Sequence, residues 1–166
     1  MKPLHYAAAV ALTAALGVGA YFSLAKAPVA PDVAYTLLDG TKASTGQLRG
    51  KVVLVNFWAT SCTTCVREMP QIVATYDKYK AGGYDTLAVA MSYDPPAYVV
   101  NFAETRRLPF PVAIDNTGAI AASFGDVSLT PTSILINKRG EIVKRYVGEP
   151  DFVALHELIE RLLGEA

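Results

Sequence analysis

The two cysteines of the chain, Cys62 and Cys65, are separated by two residues in the stretch FWATSCTTC, and there are no others. A disulfide stabilises a fold mainly by closing a long loop in the unfolded chain, and this pair closes a very short one. The spacing therefore favours chemistry over structural cross-linking. Residues three positions apart are neighbours on a helix, so one thiol can form a mixed disulfide with a substrate and the other can resolve it.

The sequence around the pair predicts that it lies where a strand ends and a helix begins. Residues 52–59 form a nearly continuous apolar run, typical of a strand buried on both faces, and residues 66–80 carry apolar side chains at helical spacing. The unpaired N–H groups and partial positive charge of a helix N-terminus stabilise a thiolate. We therefore expect the pKa of Cys62 to fall from ~8.5 toward ~7, which makes Cys62 the nucleophile and Cys65 the resolving thiol.

Two other roles for the cysteine pair fit the sequence less well. A zinc site requires four ligands, and the two histidines, His5 and His156, lie in the N-terminal apolar segment and in the last predicted helix. An inert structural bridge is disfavoured because a C-x-x-C motif in a βαβ-like pattern is typical of redox proteins. We therefore expect no metal and no separate cofactor, with the Cys62–Cys65 pair itself carrying the electrons.

The N-terminal segment is apolar over a length that suits a membrane. Residues 6–24 are apolar except for Thr13 and Ser23, and as a helix they would span ~29 Å, about the thickness of a bilayer core. We expect residues 1–26 to form a retained membrane anchor. The alternative is a cleaved signal peptide, because Lys2 provides a short charged region before the apolar run. Both interpretations export the rest of the chain.

The remainder of the chain is predicted to be a short linker and one domain. Residues 27–33 include Pro28 and Pro31, which favour extended backbone, so we expect a stiff linker there. Residues 34–166 would form the domain. The chain is 52% hydrophobic, which is enough for a core. Its 15 Lys and Arg residues balance 15 Asp and Glu residues, so no basic field favours nucleic acid.

Strands and helices alternate along the predicted domain. Apolar runs predict the strands, helical periodicity predicts the helices, and Asp151 is placed to cap the last helix. The predicted strands are 34–38, 52–59, 85–91, 110–115, 133–137 and 141–147, and the predicted helices are 66–80, 97–107, 118–124 and 152 onwards. This order predicts an α/β sandwich with a mixed sheet.

Four motifs resemble the thioredoxin superfamily, and more closely its membrane-anchored TlpA/ResA/CcmG-type members. They are VLVNFWA at 53–59, CTTC at 62–65, REMP at 67–70 and LTPT at 129–132. The resemblance implies a thioredoxin-like mixed β-sheet flanked by helices and preceded by one N-terminal hydrophobic helix. Asn56 occupies the place where thioredoxin has a buried aspartate.

The resemblance also implies roles for residues around the cysteines. The Thr130–Pro131 bond would be cis beside the disulfide, with the Thr130 backbone pairing with substrate main chain. Glu68 matches a family glutamate that tunes thiol titration, and a carboxylate at this position would raise the pKa of Cys65. The alternative for Glu68 is a solvated helix residue. Trp58 would be a packing residue that flanks the site.

The family resemblance implies a thiol–disulfide oxidoreductase on the extracytoplasmic side of a bacterial inner membrane. We expect a reductase of disulfides in exported proteins, with apocytochrome c or copper-site proteins as clients. A membrane thiol reductase of the DsbD/CcdA type would supply the electrons. An oxidase of the DsbA kind is the mirror-image alternative.

Two further alternatives use the same fold. A peroxiredoxin-like peroxidase would require proline and threonine where the chain has Val55 and Ala59. A copper-binding chaperone could use the two thiolates, since Cu(I) prefers soft ligands, with His156 as the available histidine outside the N-terminal segment.

Overall fold

A computed structural model describes residues 27–165 as seven strands and four α-helices. The strands are β1 (Ala34–Thr36), β2 (Lys42–Ser44), β3 (Val52–Trp58), β4 (Tyr84–Ala90), β5 (Val112–Ile114), β6 (Thr132–Ile136) and β7 (Ile142–Val147). The helices are α1 (Thr63–Tyr79), α2 (Pro96–Arg106), α3 (Ala119–Ser123) and α4 (Phe152–Gly164), and two short 3-10 turns span Thr45–Leu48 and Lys80–Gly82.

Five strands form one mixed sheet in the order β5-β4-β3-β6-β7. The strands β3, β4 and β5 are parallel, whereas β6 is antiparallel to β3 and β7 is antiparallel to β6. β3 therefore lies at the centre and is buried along its whole length, which explains its continuous apolar sequence. The strands β1 and β2 form a separate antiparallel pair.

The two faces of the sheet are covered by different elements. Alternate residues of β3, including Val53 and Phe57, pack on one face with Ile120 of α3 and with Phe124, which follows that helix. The intervening residues face α1, α2 and α4, so that Trp58 lies against α1 and α2 and Leu54 lies against α4. The site helix α1 is thus fixed on one face of the central strand.

The structure confirms the sequence-based fold. The last two sheet strands form the predicted hairpin, and the side chain of Asp151 accepts hydrogen bonds from Val153 N and Ala154 N at the start of α4. Part of the predicted linker is extended and pairs with this hairpin: Ala30 N donates to Gly140 O at 2.8 Å. The predicted anchor or signal peptide lies outside the described residues, and within 27–165 no helix has the length and apolar character needed to cross a membrane.

Candidate active site

Cys62 is the N-cap residue of α1, and Cys65 lies in its first turn. The two form a disulfide, with their Cα atoms 5.2 Å apart. The backbone N–H of Cys65 points at Cys62 Sγ over 3.1 Å. Cys62 is partly exposed, whereas Cys65 is fully buried. The predicted position of the pair is therefore correct, and a helix N–H group is already aligned to stabilise negative charge on the sulfur of Cys62.

The turn that leads from β3 to Cys62 is held by a buried carboxylate. Asp94 follows β4 and has 2% of its surface exposed. Its two oxygens accept from Thr60 N and from Thr60 Oγ1, each at 2.6 Å. Cys62 N in turn donates to Ala59 O at 3.1 Å. These bonds fix the backbone immediately before the first cysteine.

The Thr130–Pro131 segment lies at the same end of the sheet as the disulfide, where β3 ends and β6 begins. Thr132 opens β6 and pairs with Phe57 near the end of β3, so the segment before Thr132 is brought to the strand end that leads to Cys62. The Thr130–Pro131 peptide bond is cis, as the resemblance predicts. Tyr93 lies in the loop after β4, and its hydroxyl is hydrogen-bonded to Thr130 Oγ1 at 3.1 Å.

Glu68 is fully buried, so its interpretation as a solvated helix residue is wrong. Its Oε1 accepts from Asn56 Nδ2 at 3.2 Å, and the same nitrogen donates to Ser133 Oγ at 2.9 Å. Burial raises the pKa of Glu68 from 4.5 to about 7, and the charge of Glu149 acts in the same direction. The hydrogen bond from Asn56 and the charge of Arg67 oppose this rise. A carboxyl one helical turn from Cys65 can therefore exchange a proton near neutral pH.

Trp58 packs beneath the site, as predicted. Its ring has no exposed surface and lies 5.0 Å from the ring of Phe102, measured between centroids. It shares a buried cluster with Cys65 and Met69. The indole therefore supports α1 from below, and its complete burial keeps it away from any partner in this conformation.

His156 is remote from the cysteine pair. Its Nε2 contacts Thr75 Oγ1 at 2.9 Å, and Thr75 is ten residues further along α1 than Cys65, or ~15 Å of helix. In the described part of the chain, no group of three or more His, Cys, Asp or Glu side chains is arranged to hold a metal ion. The histidine considered for a copper site thus lies at the far end of the helix.

Several residues of the site were absent from the sequence-based set. These residues are Asp94 and Thr60, which come together across 34 positions, and Ser133, which contacts the already noted Asn56 across 77 positions. The position of Asp94, in the loop that follows the buried parallel strand β4, is a signal that could have identified it, because such strand ends collect functional side chains. Ser133 is revealed only by the register of β6 against β3, which pairs it with Asn56.

Comparisons with known proteins agree with this geometry. The Redoxin family model matches residues 25–157. The chain is 38% identical over 133 residues to the thiol-disulfide oxidoreductase ResA of Bacillus thuringiensis subsp. konkukian, a match that covers 80% of this chain and 76% of that protein. It is 41% identical over 120 residues to ResA of Bacillus anthracis, covering 72% and 68% respectively.

Solved structures give the same assignment. A thioredoxin-related protein of Neisseria meningitidis superimposes with a TM-score of 0.76 at 42% identity, covering 82% of this chain and 91% of that one. A thiol:disulfide interchange protein of Chlorobium tepidum gives 0.77 at 26% identity, covering 84% and 99%. With its thioredoxin-like fold and its C-x-x-C disulfide at the start of a helix, the chain belongs to the Redoxin family, as a ResA-like thiol–disulfide oxidoreductase.

Proposed function

We propose that the protein reduces disulfides in exported client proteins through Cys62. The observation that carries this proposal is the difference between the two sulfurs. Cys62 is accessible at the start of α1 and receives a backbone N–H, whereas Cys65 is buried one turn behind it. Only Cys62 can therefore meet a client first, and only Cys65 is placed to attack the resulting bond.

The reaction consists of two successive thiol–disulfide exchanges, in which atoms and electrons balance. The Cys62 thiolate attacks one sulfur of the client disulfide, which forms a mixed disulfide and releases the first client thiolate. Cys65 loses its proton and attacks Cys62 Sγ, which releases the second client thiolate. The client gains two electrons and two protons, and the protein is left with the Cys62–Cys65 disulfide. A membrane thiol reductase of the DsbD/CcdA type would return the two electrons.

Glu68 is proposed to accept the proton that Cys65 loses in the second exchange. It lies one helical turn from Cys65, and its pKa of about 7 lets it bind or release a proton at the working pH. Burial of both side chains supports direct coupling, because an interaction between charges is poorly screened away from water.

Thr130 and Pro131 are proposed to contact the client main chain. Their support is positional: the segment lies at the end of the sheet where the disulfide lies, and Thr130 is reached by the exposed Tyr93. An extended client segment could lie along this backbone next to Cys62.

The clients and the compartment follow from the family resemblance. Apocytochrome c or copper-site proteins of respiratory enzymes are the proposed clients. Residues 1–26 are proposed to anchor the domain to the extracytoplasmic face of the inner membrane, with residues 27–33 as linker and 34–166 as the catalytic domain. Anchoring would keep Cys62 close to a donor that is itself in the membrane.

Replacement of Cys65 by serine should trap client proteins on Cys62. Without the resolving thiol, the mixed disulfide persists, and we expect at least roughly tenfold more adducts than with Cys62→Ser, because Cys65 is buried. The adducts are counted on non-reducing gels of cell extracts and identified by mass spectrometry. Abundant adducts with Cys62→Ser and none with Cys65→Ser would contradict the assigned roles.

Replacement of Glu68 by glutamine should change how stability depends on pH. Because burial raises the pKa of Glu68 from 4.5 to about 7, the folded protein holds this proton more tightly than the unfolded chain. The contribution of this proton to the free energy of unfolding is complete below pH 4.5 and is lost as the pH rises through 7. This contribution is on the order of 3 kcal/mol.

Urea unfolding of the oxidised protein between pH 4.5 and 8 measures this loss. Wild type should lose stability over that range relative to Glu68→Gln, while the exposed control Glu104→Gln follows wild type. If wild type and Glu68→Gln gave parallel curves, a carboxyl that titrates near neutrality would be ruled out at this position.

Mass spectrometry of the protein isolated from its native membrane should find residues 1–26 still attached. Retention is expected because the apolar run of residues 6–24 is longer than the h-region of most signal peptides. A mature N-terminus near Tyr21 or Pro28 would instead identify the segment as a cleaved signal peptide.

A further inference from the structure

Three fully buried polar side chains form a layer between the central strand, α1 and β6: Asn56, Glu68 and Ser133. The amide nitrogen of Asn56 donates one hydrogen bond to Glu68 Oε1 and one to Ser133 Oγ. Within residues 27–165, the other oxygens of this layer, Asn56 Oδ1 and Glu68 Oε2, have no hydrogen-bond partner. An unpaired polar atom in a core lowers the stability of the folded protein, so each change in the donors and acceptors of this layer changes that stability.

The orientation seen for Asn56 suits an ionised Glu68. The two N–H bonds of its amide nitrogen are directed at two acceptors, the carboxylate of Glu68 and the hydroxyl oxygen of Ser133. A proton on Glu68 Oε2 would be a buried O–H donor with no acceptor, and a proton on Oε1 would meet the N–H of Asn56. Proton uptake therefore disrupts the layer if the amide stays as it is.

A half-turn of the amide about its last side-chain bond restores the pairing. Asn56 Oδ1 then faces the protonated Glu68 and accepts its O–H. The Ser133 hydroxyl can donate to the same oxygen, because a hydroxyl is both a donor and an acceptor. On the far side, where Oδ1 has no partner within residues 27–165, the half-turn places the NH2 group with its two donors. This added cost favours the orientation seen while Glu68 is ionised, and the O–H bond from protonated Glu68 must outweigh it for the amide to turn.

We propose that the Asn56 amide turns over whenever Glu68 gains or loses its proton, and that Ser133 is the positioning residue that pairs with the amide in both orientations. The functional meaning of this switch rests on the proton transfer proposed above between Glu68 and Cys65. The switch gives Glu68 a hydrogen-bond partner in each charge state, so that its proton can move without leaving the carboxyl unpaired.

The charged groups around Glu68 are a complementary pair. Arg67 on α1 and Glu149, in the turn between β7 and α4, form an ion pair at 2.6 Å and act on Glu68 with opposite signs. Both are outside the buried layer, and neither contacts Asn56. The orientation of the amide is therefore governed by the proton on Glu68 and by the Ser133 hydroxyl.

Ser133→Ala distinguishes a turning amide from a fixed one. If the amide turns, removal of the hydroxyl leaves an N–H of Asn56 unpaired when Glu68 is ionised. When Glu68 is protonated, Oδ1 keeps one partner. The ionised state is penalised more, so the pKa of Glu68 should rise by about one unit. If the amide is fixed, the hydroxyl accepts the same N–H in both charge states, and its removal leaves the pKa of Glu68 unchanged.

The measurement is carbon-13 NMR of the Glu68 side-chain carboxyl in the oxidised full-length protein as a function of pH. Ser133→Thr is the matched control, because it keeps the hydroxyl and should titrate like wild type. An unchanged or lowered midpoint in Ser133→Ala, or an equal rise in Ser133→Thr, would overturn the proposal.

Neutron diffraction from wild-type crystals at pD 5 and pD 9 tests the switch without any substitution. We expect Oδ1 of Asn56 to face Glu68 at the lower value and Nδ2 at the higher one, and a single orientation at both values would overturn the proposal. Both readouts are independent of cysteine chemistry. Unchanged disulfide exchange in Glu68→Gln would contradict the proposed proton transfer from Cys65 to Glu68. That result would leave the evidence for or against the amide switch unaffected.

Discussion

The contact on which the site depends is the backbone N–H of Cys65 directed at Cys62 Sγ at the start of α1. It exists because the helix begins at that residue, with Cys62 as its cap. The position of the helix start is in turn set by β3, which is fully buried and ends at Trp58, and by the turn that Asp94 fixes through Thr60. A shift of one residue in this turn would aim the N–H group at a different atom.

The same architecture explains why the two sulfurs differ. Cys62 and Cys65 are one helical turn apart. Cys62 is partly exposed beyond the end of β3, whereas Cys65 packs against Trp58 and Met69. A nucleophile must be reached by its client, whereas a resolving thiol acts only within the protein and gains from exclusion of other reactants. Thus the difference in burial between Cys62 and Cys65 follows from the direction in which α1 enters the fold.

Glu68 is the energetic exception in this core. A carboxyl without exposed surface would be strongly disfavoured if it were ionised and unpaired. Among residues 27–165, Glu68 is met by one amide hydrogen bond and by no cation in direct contact. The result is a group that is neither firmly charged nor firmly neutral near pH 7. The cost in stability at this position fits the proton-accepting role proposed for Glu68, because functional sites often break the rules that govern the rest of a core.

Local patterns in the sequence were sufficient for much of this account. The C-x-x-C spacing, the apolar run of β3 and the periodicity of α1 located the helix start and the reactive pair, because each depends on residues close together in the chain. The resemblance added the cis Thr130–Pro131 bond. The contact between Asn56 and Ser133 could not be found in this way, since Ser133 reaches Asn56 only through the register of β6 against β3. The position of Asp94 after β4 is a usable signal, but its pairing with Thr60 depends on the register of β4 against β3. Burial of Glu68 likewise depends on how α1 packs on β3.

Competitive alkylation of the reduced protein tests the central claim most directly. A limiting amount of iodoacetamide is added at pH 7, and modification of each cysteine is quantified by mass spectrometry of the two labelled forms. The account predicts that Cys62 is modified first and that Cys65 remains almost unlabelled until the protein is unfolded. Equal labelling of the two cysteines, or earlier labelling of Cys65, would contradict it.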